Sequence, residues 1–314
     1  MLKPLGVIMD PIAGISPKKD TTLALLLAAQ QRRWPIFYME ARDLFLVNDK
    51  PYARMRSLQV KDDVKNWFEY GKETIAALES LSVILMRKDP PIDMQYIYTT
   101  QLLDKAEEQG VLIANHPQSL RDFNEKLFTL NFPKCCPPSL VTSSIQTAQK
   151  FLQEHQDIIA KPLDGMGGRS VFRLRLQDPN SNVILETLTA NNQSYMMVQR
   201  YIKEVREGDK RIIMIDGEPV PYALARIAPL GETRANLAVG GKGQVVKLTE
   251  RDSWICQEVG PCLREKGLLF VGLDVIGDYL TEINITSPTG VREIDAQCDL
   301  NIGMQFIDTI LTKV

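Results

Sequence analysis

The feature that most constrains this chain is a glycine-rich loop between two strand-like segments, within residues 158–176. The apolar run Ile158–Pro162 ends in a Lys-Pro pair, and the loop 163–170 contains three glycines. Glycine lets backbone N–H groups approach phosphate oxygens closely. The next segment, Val171–Leu176, resembles a strand and not a helix, which excludes a P-loop and a dinucleotide-binding fingerprint. The pattern therefore predicts a phosphate-covering flap, although an ordinary glycine-rich hairpin turn fits it as well.

Composition bounds the class of protein and its partners. The 314 residues include 37 basic and 39 acidic ones, and 44% are hydrophobic, which is typical of a multidomain globular protein. The balanced charge argues against a nucleic-acid partner. The apolar run Leu23–Ala29 is too short to span a bilayer, so we expect no membrane partner. The five cysteines lack metal-ligand spacing and indicate a reducing, cytoplasmic location.

Short apolar strands alternate with amphipathic helices in the first third of the chain. This alternation predicts an open parallel sheet built from βαβ units, interrupted by a polar, less regular stretch between residues 40 and 82. In such sheets, ligands bind at the loops that follow the carboxyl ends of the strands, here 10–12 and 87–91. The predicted strands are Leu5–Met9, Ile36–Met39, Val83–Met86 and Val111–Ala114, and the predicted helices are Thr21–Arg33 and Gln95–Gln109.

The pattern changes at Ser119, from where we expect α+β units. Turns such as Asp216-Gly217 join successive strands and are typical of antiparallel hairpins. The fold class expected for the whole chain is therefore α/β and α+β, with several domains. The predicted helices are Leu120–Phe132, Ile145–His155 and Thr249–Lys266, and the predicted strands are Ile158–Pro162, Val171–Leu176, Met196–Tyr201, Arg211–Ile215, Tyr222–Ile227, Val245–Leu248, Leu268–Ile276 and Leu280–Ile285.

Three oxygen-bearing side chains, Asp274, Glu282 and Asn284, fall on the last predicted hairpin. Glu282 and Asn284 are two residues apart and so face the same way. A three-residue loop at 277–279 would place Asp274 opposite Glu282, whereas a two-residue turn would move Asp274 to the other face. Converging carboxylate and amide oxygens suit Mg²⁺, which completes its octahedron with water and ATP phosphates. The alternative is a solvated polar hairpin face.

Two further features could handle anions. Residues 228–243 contain four glycines and lack periodicity, which predicts a mobile lid bearing Arg234 and Asn236 that excludes water from an acyl phosphate; an ordinary surface loop is the alternative. Arg211 and Arg226 lie in strand-like segments, where a guanidinium group needs an anion. A bound ligand and an internal salt bridge satisfy that need equally.

The order of these parts, strand-end lysine, flap, lid and metal hairpin, resembles the ATP-grasp superfamily. The strings at 86–91, 161–168, 231–236 and 281–288 look like the bacterial glutathione synthetase family. The similarity runs nearly end to end and is weakest at 51–79 and 295–301.

That resemblance implies an ATP-grasp fold in three parts. An N-terminal α/β substrate domain with an open parallel sheet would occupy 1–122, a central lid subdomain 123–202, and a C-terminal catalytic subdomain 203–314 with the mobile loop 228–243.

The resemblance also implies an activity. The chain would be an ATP-dependent ligase that joins γ-glutamylcysteine and glycine into glutathione through an acyl phosphate, with Mg²⁺ or Mn²⁺ as cofactor, and it would form a homotetramer. Another ATP-grasp ligase and a non-catalytic nucleotide-binding regulatory module are the alternatives.

Site residues carried over by resemblance fall into four groups. For ATP they are Lys126, Lys161, Gly165, Gly167, Gly168, Gln199, Arg200, Tyr201, Ile202 and Asp209. For the other substrates they are Asp10, Arg87, Asp89, Arg211, Arg234, Asn236, Gly241, Asn284, Ser287 and Thr289. The metal ligands would be Asp274, Glu282 and Asn284, and the catalytic residues Arg211, Arg226 and Arg234.

Overall fold

The computed structural model describes residues 3–227 and 242–314, and three β-sheets organise this part of the chain. The first sheet has seven strands: six follow the order β3-β4-β2-β1-β6-β7, and the seventh, β5, also pairs with β4. Its strands are β1 (Leu5–Met9), β2 (Ile36–Met39), β3 (Leu44–Val47), β4 (Lys50–Val60), β5 (Phe68–Ala77), β6 (Val83–Arg87) and β7 (Leu112–Ala114).

The parallel centre of this sheet confirms the predicted βαβ units. β1 pairs in parallel with β2 and β6, and β6 pairs in parallel with β7. Every residue of β1 is buried, as expected of a strand covered on both faces. The connecting helices are α1 (Thr21–Gln31) and α2 (Met94–Glu108).

The expectation of a less regular stretch between residues 40 and 82 is wrong. This stretch forms β3, β4 and β5, which pair antiparallel and extend the parallel strands into a mixed sheet. In β4, buried Ala53 and Met55 alternate with exposed Arg54 and Arg56. The charged positions made the segment look polar, although the period of two is that of a strand with one face in solvent.

The prediction of one continuous helix over Leu120–Phe132 is also wrong, because the chain is not helical between residues 123 and 126. A short helix, α3 (Pro117–Asp122), ends early, and only a 3₁₀ turn forms at Leu127–Asn131. Between them Asn124 Oδ1 accepts hydrogen bonds from the backbone N–H groups of Lys126 and Leu127, each at 3.1 Å. Such local side-chain bonds compete with helix formation.

The second sheet is antiparallel, has four strands in the order β10-β9-β11-β8, and builds a hydrophobic core of its own with two helices. Its strands are β8 (Ser139–Thr142), β9 (Asp157–Pro162), β10 (Phe172–Arg175) and β11 (Met196–Arg200), and the helices are α4 (Ile145–His155) and α5 (Ser181–Leu188).

The third sheet is antiparallel with five strands in the order β14-β13-β12-β15-β16. Asp216 and Gly217 form the predicted turn, with φ of 50° and 78°. The helix α6 (Glu250–Glu265) begins at the predicted Thr249 capping box. The strands are β12 (Asp209–Ile215), β13 (Glu218–Ile227), β14 (Lys242–Lys247), β15 (Phe270–Ile276) and β16 (Tyr279–Asn284).

The contacts that join the first sheet to the third include a buried side-chain amide and a pair of packed helices. The buried amide of Asn115, after β7, donates to the carbonyls of Phe270 and Ile285 and accepts from the N–H of Phe270. After a short helix, α7 (Val291–Asp295), the last helix, α8 (Ile302–Leu311), packs on α1. Within the described residues, none of the helices has the length and apolar character needed to cross a membrane.

Candidate active site

A cavity lies between the second and third sheets, beneath the glycine loop 163–170, and we call it the intersheet cavity. Gly167 and Gly168 have φ of 63° and 75°, in the left-handed region that favours glycine. The structure brings all ten residues predicted for ATP into its lining: Lys126, Lys161, Gly165, Gly167, Gly168, Gln199, Arg200, Tyr201, Ile202 and Asp209.

Lys161, near the end of β9, is buried in this lining. Its Nζ donates to the carbonyl of Thr281 at 3.3 Å, and within the described residues it forms no ion pair with a carboxylate. Burial lowers the pKa of Lys161 to about 8. A desolvated ammonium group with only a neutral partner marks a place where an anion would be stabilised.

Lys126 connects the flap to the opposite sheet. Its Nζ donates to the carbonyl of Gly165 and lies 3.0 Å from Glu282 Oε1 on β16. Lys126 therefore contacts both the flap and the third sheet, and both lysines line the intersheet cavity.

The predicted metal hairpin has an unexpected geometry. Its turn contains only two residues, because Ile276 pairs directly with Tyr279. Nevertheless Asp274 lies opposite Glu282, since a register shift after Asp274 leaves one extra residue, Thr281, on β16. The expectation that a two-residue turn would separate these side chains is therefore wrong: a β-bulge restores their alignment.

Asp274 accepts hydrogen bonds from two arginines. Arg211 binds it through Nε at 2.6 Å and Nη2 at 3.1 Å, and Arg226 Nη2 lies 2.9 Å from Oδ2. Burial alone would raise the pKa of Asp274, but the two guanidinium groups hold it well below its usual range. The internal salt bridge left open for Arg211 and Arg226 is therefore present.

Asp209 is the second carboxylate of this cluster. Its Oδ2 accepts from Arg226 Nη2 at 2.6 Å, whereas its Oδ1 is buried and lacks a hydrogen-bond partner among the described residues. Burial raises the pKa of Asp209 to about 6. The unsatisfied oxygen is free to accept a hydrogen bond from a ligand in the intersheet cavity.

Asp274, Glu282 and Asn284 fit a hard divalent cation. Asn284 uses its Nδ2 to donate to the carbonyl of Gly272 at 3.1 Å, which leaves Oδ1 as the available ligand atom. No group of three or more His, Cys, Asp or Glu residues suited to a metal occurs in residues 3–227 and 242–314. The candidate set therefore depends on the amide oxygen of Asn284, with phosphate and water to complete it.

A second cavity adjoins the first and shares Gly167, Asp274 and Glu282 with it. Its walls come from the loop 285–290, from Pro90 and from the third sheet. Five of the residues predicted to hold the other substrates line it: Asp89, Arg211, Asn284, Ser287 and Thr289.

Arg87 and Asp10 do not line the second cavity. Arg87 lies behind it and donates to Thr22 Oγ1 at 3.1 Å and to the carbonyl of Pro288 at 2.9 Å, and burial lowers its pKa to about 10. Asp10 instead accepts from Lys88 Nζ at 2.8 Å and from the N–H of Asp89 at 3.0 Å. These two residues support the walls, and their predicted contact with a substrate stays a prediction.

Some lining residues were not predicted from the sequence, and some predicted site residues lie outside the described part of the chain. Glu125 and Thr286 line the second cavity. In the sequence, Glu125 is distinguished only by its position next to Lys126. The predicted continuous helix over 120–132 gave no reason to expect its side chain in the cavity. The predicted lid 228–243 falls largely outside the described residues, and so do Arg234, Asn236 and Gly241.

Comparison with known proteins covers nearly the whole chain. Residues 4–121 match the model of the prokaryotic glutathione synthetase N-terminal domain, and residues 125–299 match that of its ATP-grasp domain. The glutathione synthetases of Pseudomonas putida and Pseudomonas syringae pv. tomato are 59% and 57% identical to the chain over 310 residues. These alignments cover 99% of this chain and 98% and 97% of the relatives.

Solved structures agree on the fold. The ATP-grasp ligase PsnB in complex with a minimal precursor superposes with a TM-score of 0.66 at 15% identity, covering 100% of both chains. At that identity the likeness concerns the fold alone, which is the ATP-grasp fold expected from the resemblance. With both family models matched and relatives at more than half identity along its length, the chain belongs to the prokaryotic glutathione synthetase family.

Proposed function

We infer that this chain is a glutathione synthetase, an ATP-dependent ligase that joins γ-glutamylcysteine to glycine and releases ADP and phosphate. Its family membership supports the identity of the two substrates. From the structure, the observation that carries the proposal is the buried Lys161 ammonium group beneath the glycine flap, with no carboxylate partner among the described residues.

In the first step, the cysteinyl carboxylate of γ-glutamylcysteine attacks the γ-phosphate of ATP, so that an acyl phosphate forms and ADP leaves. Lys126 and Lys161 offset charge on the phosphates, and the backbone of the flap 163–170 covers them. Ile202 and the preceding residues of β11 line the far end of the intersheet cavity, where the adenine would lie.

Asp274, Glu282 and Asn284 would hold Mg²⁺, or Mn²⁺ in its place. When bound, the cation supplies positive charge to the phosphate oxygens during transfer. Asp274 is also paired with Arg211 and Arg226, so the arginines and the cation would share this carboxylate.

In the second step, the amine of glycine attacks the acyl carbon and phosphate leaves. Arg211 lines the second cavity beside the loop 285–290, so its guanidinium group, once released from Asp274, is placed to stabilise the tetrahedral oxyanion. Arg226 neighbours it across the same carboxylate. Arg234, Asn236 and Gly241 would belong to a lid that keeps water from the acyl phosphate.

The test is ADP release by the purified chain with ATP, Mg²⁺, γ-glutamylcysteine and glycine, and with D-alanine or an unrelated dipeptide as alternative substrates. We expect release only when both natural substrates are present. Activity with another pair would indicate a different ligase, and nucleotide binding without turnover would indicate a regulatory module. Glu282→Ala should abolish turnover in a protein that still folds, with a lower thermal unfolding temperature because the buried Lys126 loses its carboxylate partner; near-normal turnover would remove Glu282 from the metal site.

We also propose a cytoplasmic homotetramer. The described cysteines are all free, which suits a reducing compartment. Residues 45–47 of β3 expose apolar side chains beside exposed Met94 and Tyr98 of α2. Light scattering on Val47→Lys should show smaller assemblies; an unchanged mass would exclude this surface.

A further inference from the structure

Glu125 holds the start of the loop that follows β16. Its Oε1 accepts three hydrogen bonds: from the N–H of Ile285 at 2.9 Å, from the N–H of Thr286 at 3.1 Å and from Thr286 Oγ1 at 3.0 Å. The backbone carbonyl of Glu125 also accepts from the N–H of Ile283 at 2.9 Å. One side chain thus fixes the point where the chain leaves the metal hairpin.

The residues before and after Glu125 form hydrogen bonds with the flap 163–170, which covers the intersheet cavity. Asn124 Nδ2 donates to the carbonyl of Leu163 at 2.9 Å, at the base of the flap, and Lys126 Nζ donates to the carbonyl of Gly165. Lys126 also pairs with Glu282. The tripeptide 124–126 therefore ties the flap, the metal hairpin and the loop 285–290 into one frame.

The loop held by Glu125 forms a wall of the second cavity. Ser287 and Thr289 line that cavity, and Ser287 Oγ donates to the carboxylate of Asp89 on the facing wall. The carbonyls of Pro288 and Thr289 accept from Arg87 and Arg211. A shift at residues 285–286 would therefore displace the wall and the two arginine contacts together.

We propose that Glu125 is a positioning residue that sets the loop 285–289 relative to the metal hairpin, and thereby controls affinity for the acid substrate but not for ATP. The identity of that substrate rests on the proposed function. Because all three bonds converge on Oε1, the role requires an acceptor at a fixed reach from the backbone and does not require negative charge.

Two substitutions separate reach from charge. Glu125→Gln keeps the length and an Oε1 acceptor, whereas Glu125→Asp keeps the charge and shortens the side chain by one methylene. Binding of γ-glutamylcysteine would be measured by calorimetry in the presence of Mg²⁺ and a non-hydrolysable ATP analogue, and binding of the analogue would be measured separately. Glu154→Ala, at a side chain that is 73% exposed, serves as the matched control.

We expect Glu125→Asp to weaken γ-glutamylcysteine binding at least about tenfold, because the three hydrogen bonds to Ile285 and Thr286 are lost or stretched. Binding of the ATP analogue should stay within about twofold, and Glu125→Gln should stay within about threefold of the unmodified protein for both ligands, since it retains the acceptor.

Three results would overturn the proposal. Equal losses in the Gln and Asp variants would show that charge matters, and equal losses of both ligands would show a general structural defect. Unchanged binding in Glu125→Asp would show that reach is unimportant. If Glu125→Asp does not fold, Thr286→Val, which removes one of the three bonds, must still weaken γ-glutamylcysteine binding alone.

The proposed function fails separately, namely if the unmodified protein does not bind γ-glutamylcysteine. The variants would then be compared with the acid that the protein does consume, and the same three results would apply.

Discussion

Lys161 in the intersheet cavity and Arg211 in the second cavity differ in how the rest of the protein satisfies their positive charges. In the intersheet cavity, Lys161 is buried with only a carbonyl partner among the described residues. In the second cavity, Arg211 is already paired with Asp274, as is Arg226. The difference indicates two modes of binding. At Lys161, a phosphate of ATP would supply the negative charge that pairs with the ammonium group. At Arg211, a ligand must compete with Asp274 for the guanidinium group.

Removal of the Lys161 ammonium group should have the largest effect on activity. Lys161→Met should lower ADP formation by at least about 100-fold, as expected when a donor to a developing charge is lost. Because the Lys161 ammonium group is buried and forms no ion pair with a carboxylate of the described residues, its apolar replacement should keep the free energy of unfolding within about 1 kcal/mol of the original or raise it. Steady-state kinetics would measure the rate of ADP formation, and urea unfolding would measure the stability. A clear loss of stability would contradict the inference that Lys161 has no carboxylate partner among the described residues.

Removal of the Asp274 carboxylate, which Arg211 and Arg226 share, should instead lower the free energy of unfolding. Asp274→Asn leaves Arg211 and Arg226 buried without their common partner, so the free energy of unfolding should fall by about 3 kcal/mol. Arg32→Ala is the matched control, because the Arg32–Asp308 pair is 45% exposed on both sides and solvent screening leaves it a much smaller contribution. Equal effects of the two substitutions in urea unfolding would erase the distinction between the cavities.

The pH dependence of nucleotide binding gives a smaller test. Burial lowers the pKa of Lys161 to about 8, so the ammonium group loses its proton in the free protein as pH rises through that value. Bound phosphate favours the charged form and raises the pKa, so affinity is greatest below about pH 8 and falls by up to about tenfold per pH unit above it. Calorimetric titration with an ATP analogue would measure this slope. A slope retained in Lys161→Met would assign it to another group.

The smallest effect should come from Asp10, which supports the wall of the second cavity. Asp10→Asn weakens the partly exposed pair with Lys88, and such pairs contribute about 0.2–1 kcal/mol. The KM for γ-glutamylcysteine should rise roughly threefold, while kcat and the KM for ATP stay unchanged. Initial-rate kinetics would measure all three, and a loss of activity near that of Lys161→Met would place Asp10 in direct contact with substrate.

Elements with a strong local pattern could be predicted from the sequence. β1, β2 and α4 have the predicted bounds, and the capping box at Thr249 begins the predicted helix. The ten ATP positions came from resemblance, and the structure gathers them around one cavity.

The errors occur where a non-local partner decides the structure. β4 becomes a strand by pairing with β2, β3 and β5, which its charged sequence does not reveal. The helix expected at 120–132 is interrupted so that Glu125 and Lys126 can reach the third sheet. The alignment of Asp274 with Glu282 depends on a bulge at Thr281, and counting residues in a turn cannot detect a bulge.

The most direct test of the proposed reaction follows one oxygen atom. γ-Glutamylcysteine labelled with ¹⁸O in its cysteinyl carboxylate would be incubated with the protein, ATP, Mg²⁺ and glycine, and the released phosphate would be examined by mass spectrometry. If the carboxylate attacks the γ-phosphate and glycine then displaces phosphate from carbon, each phosphate carries one ¹⁸O atom and glutathione forms in equal amount. Unlabelled phosphate, or labelled phosphate without glutathione, would contradict the account.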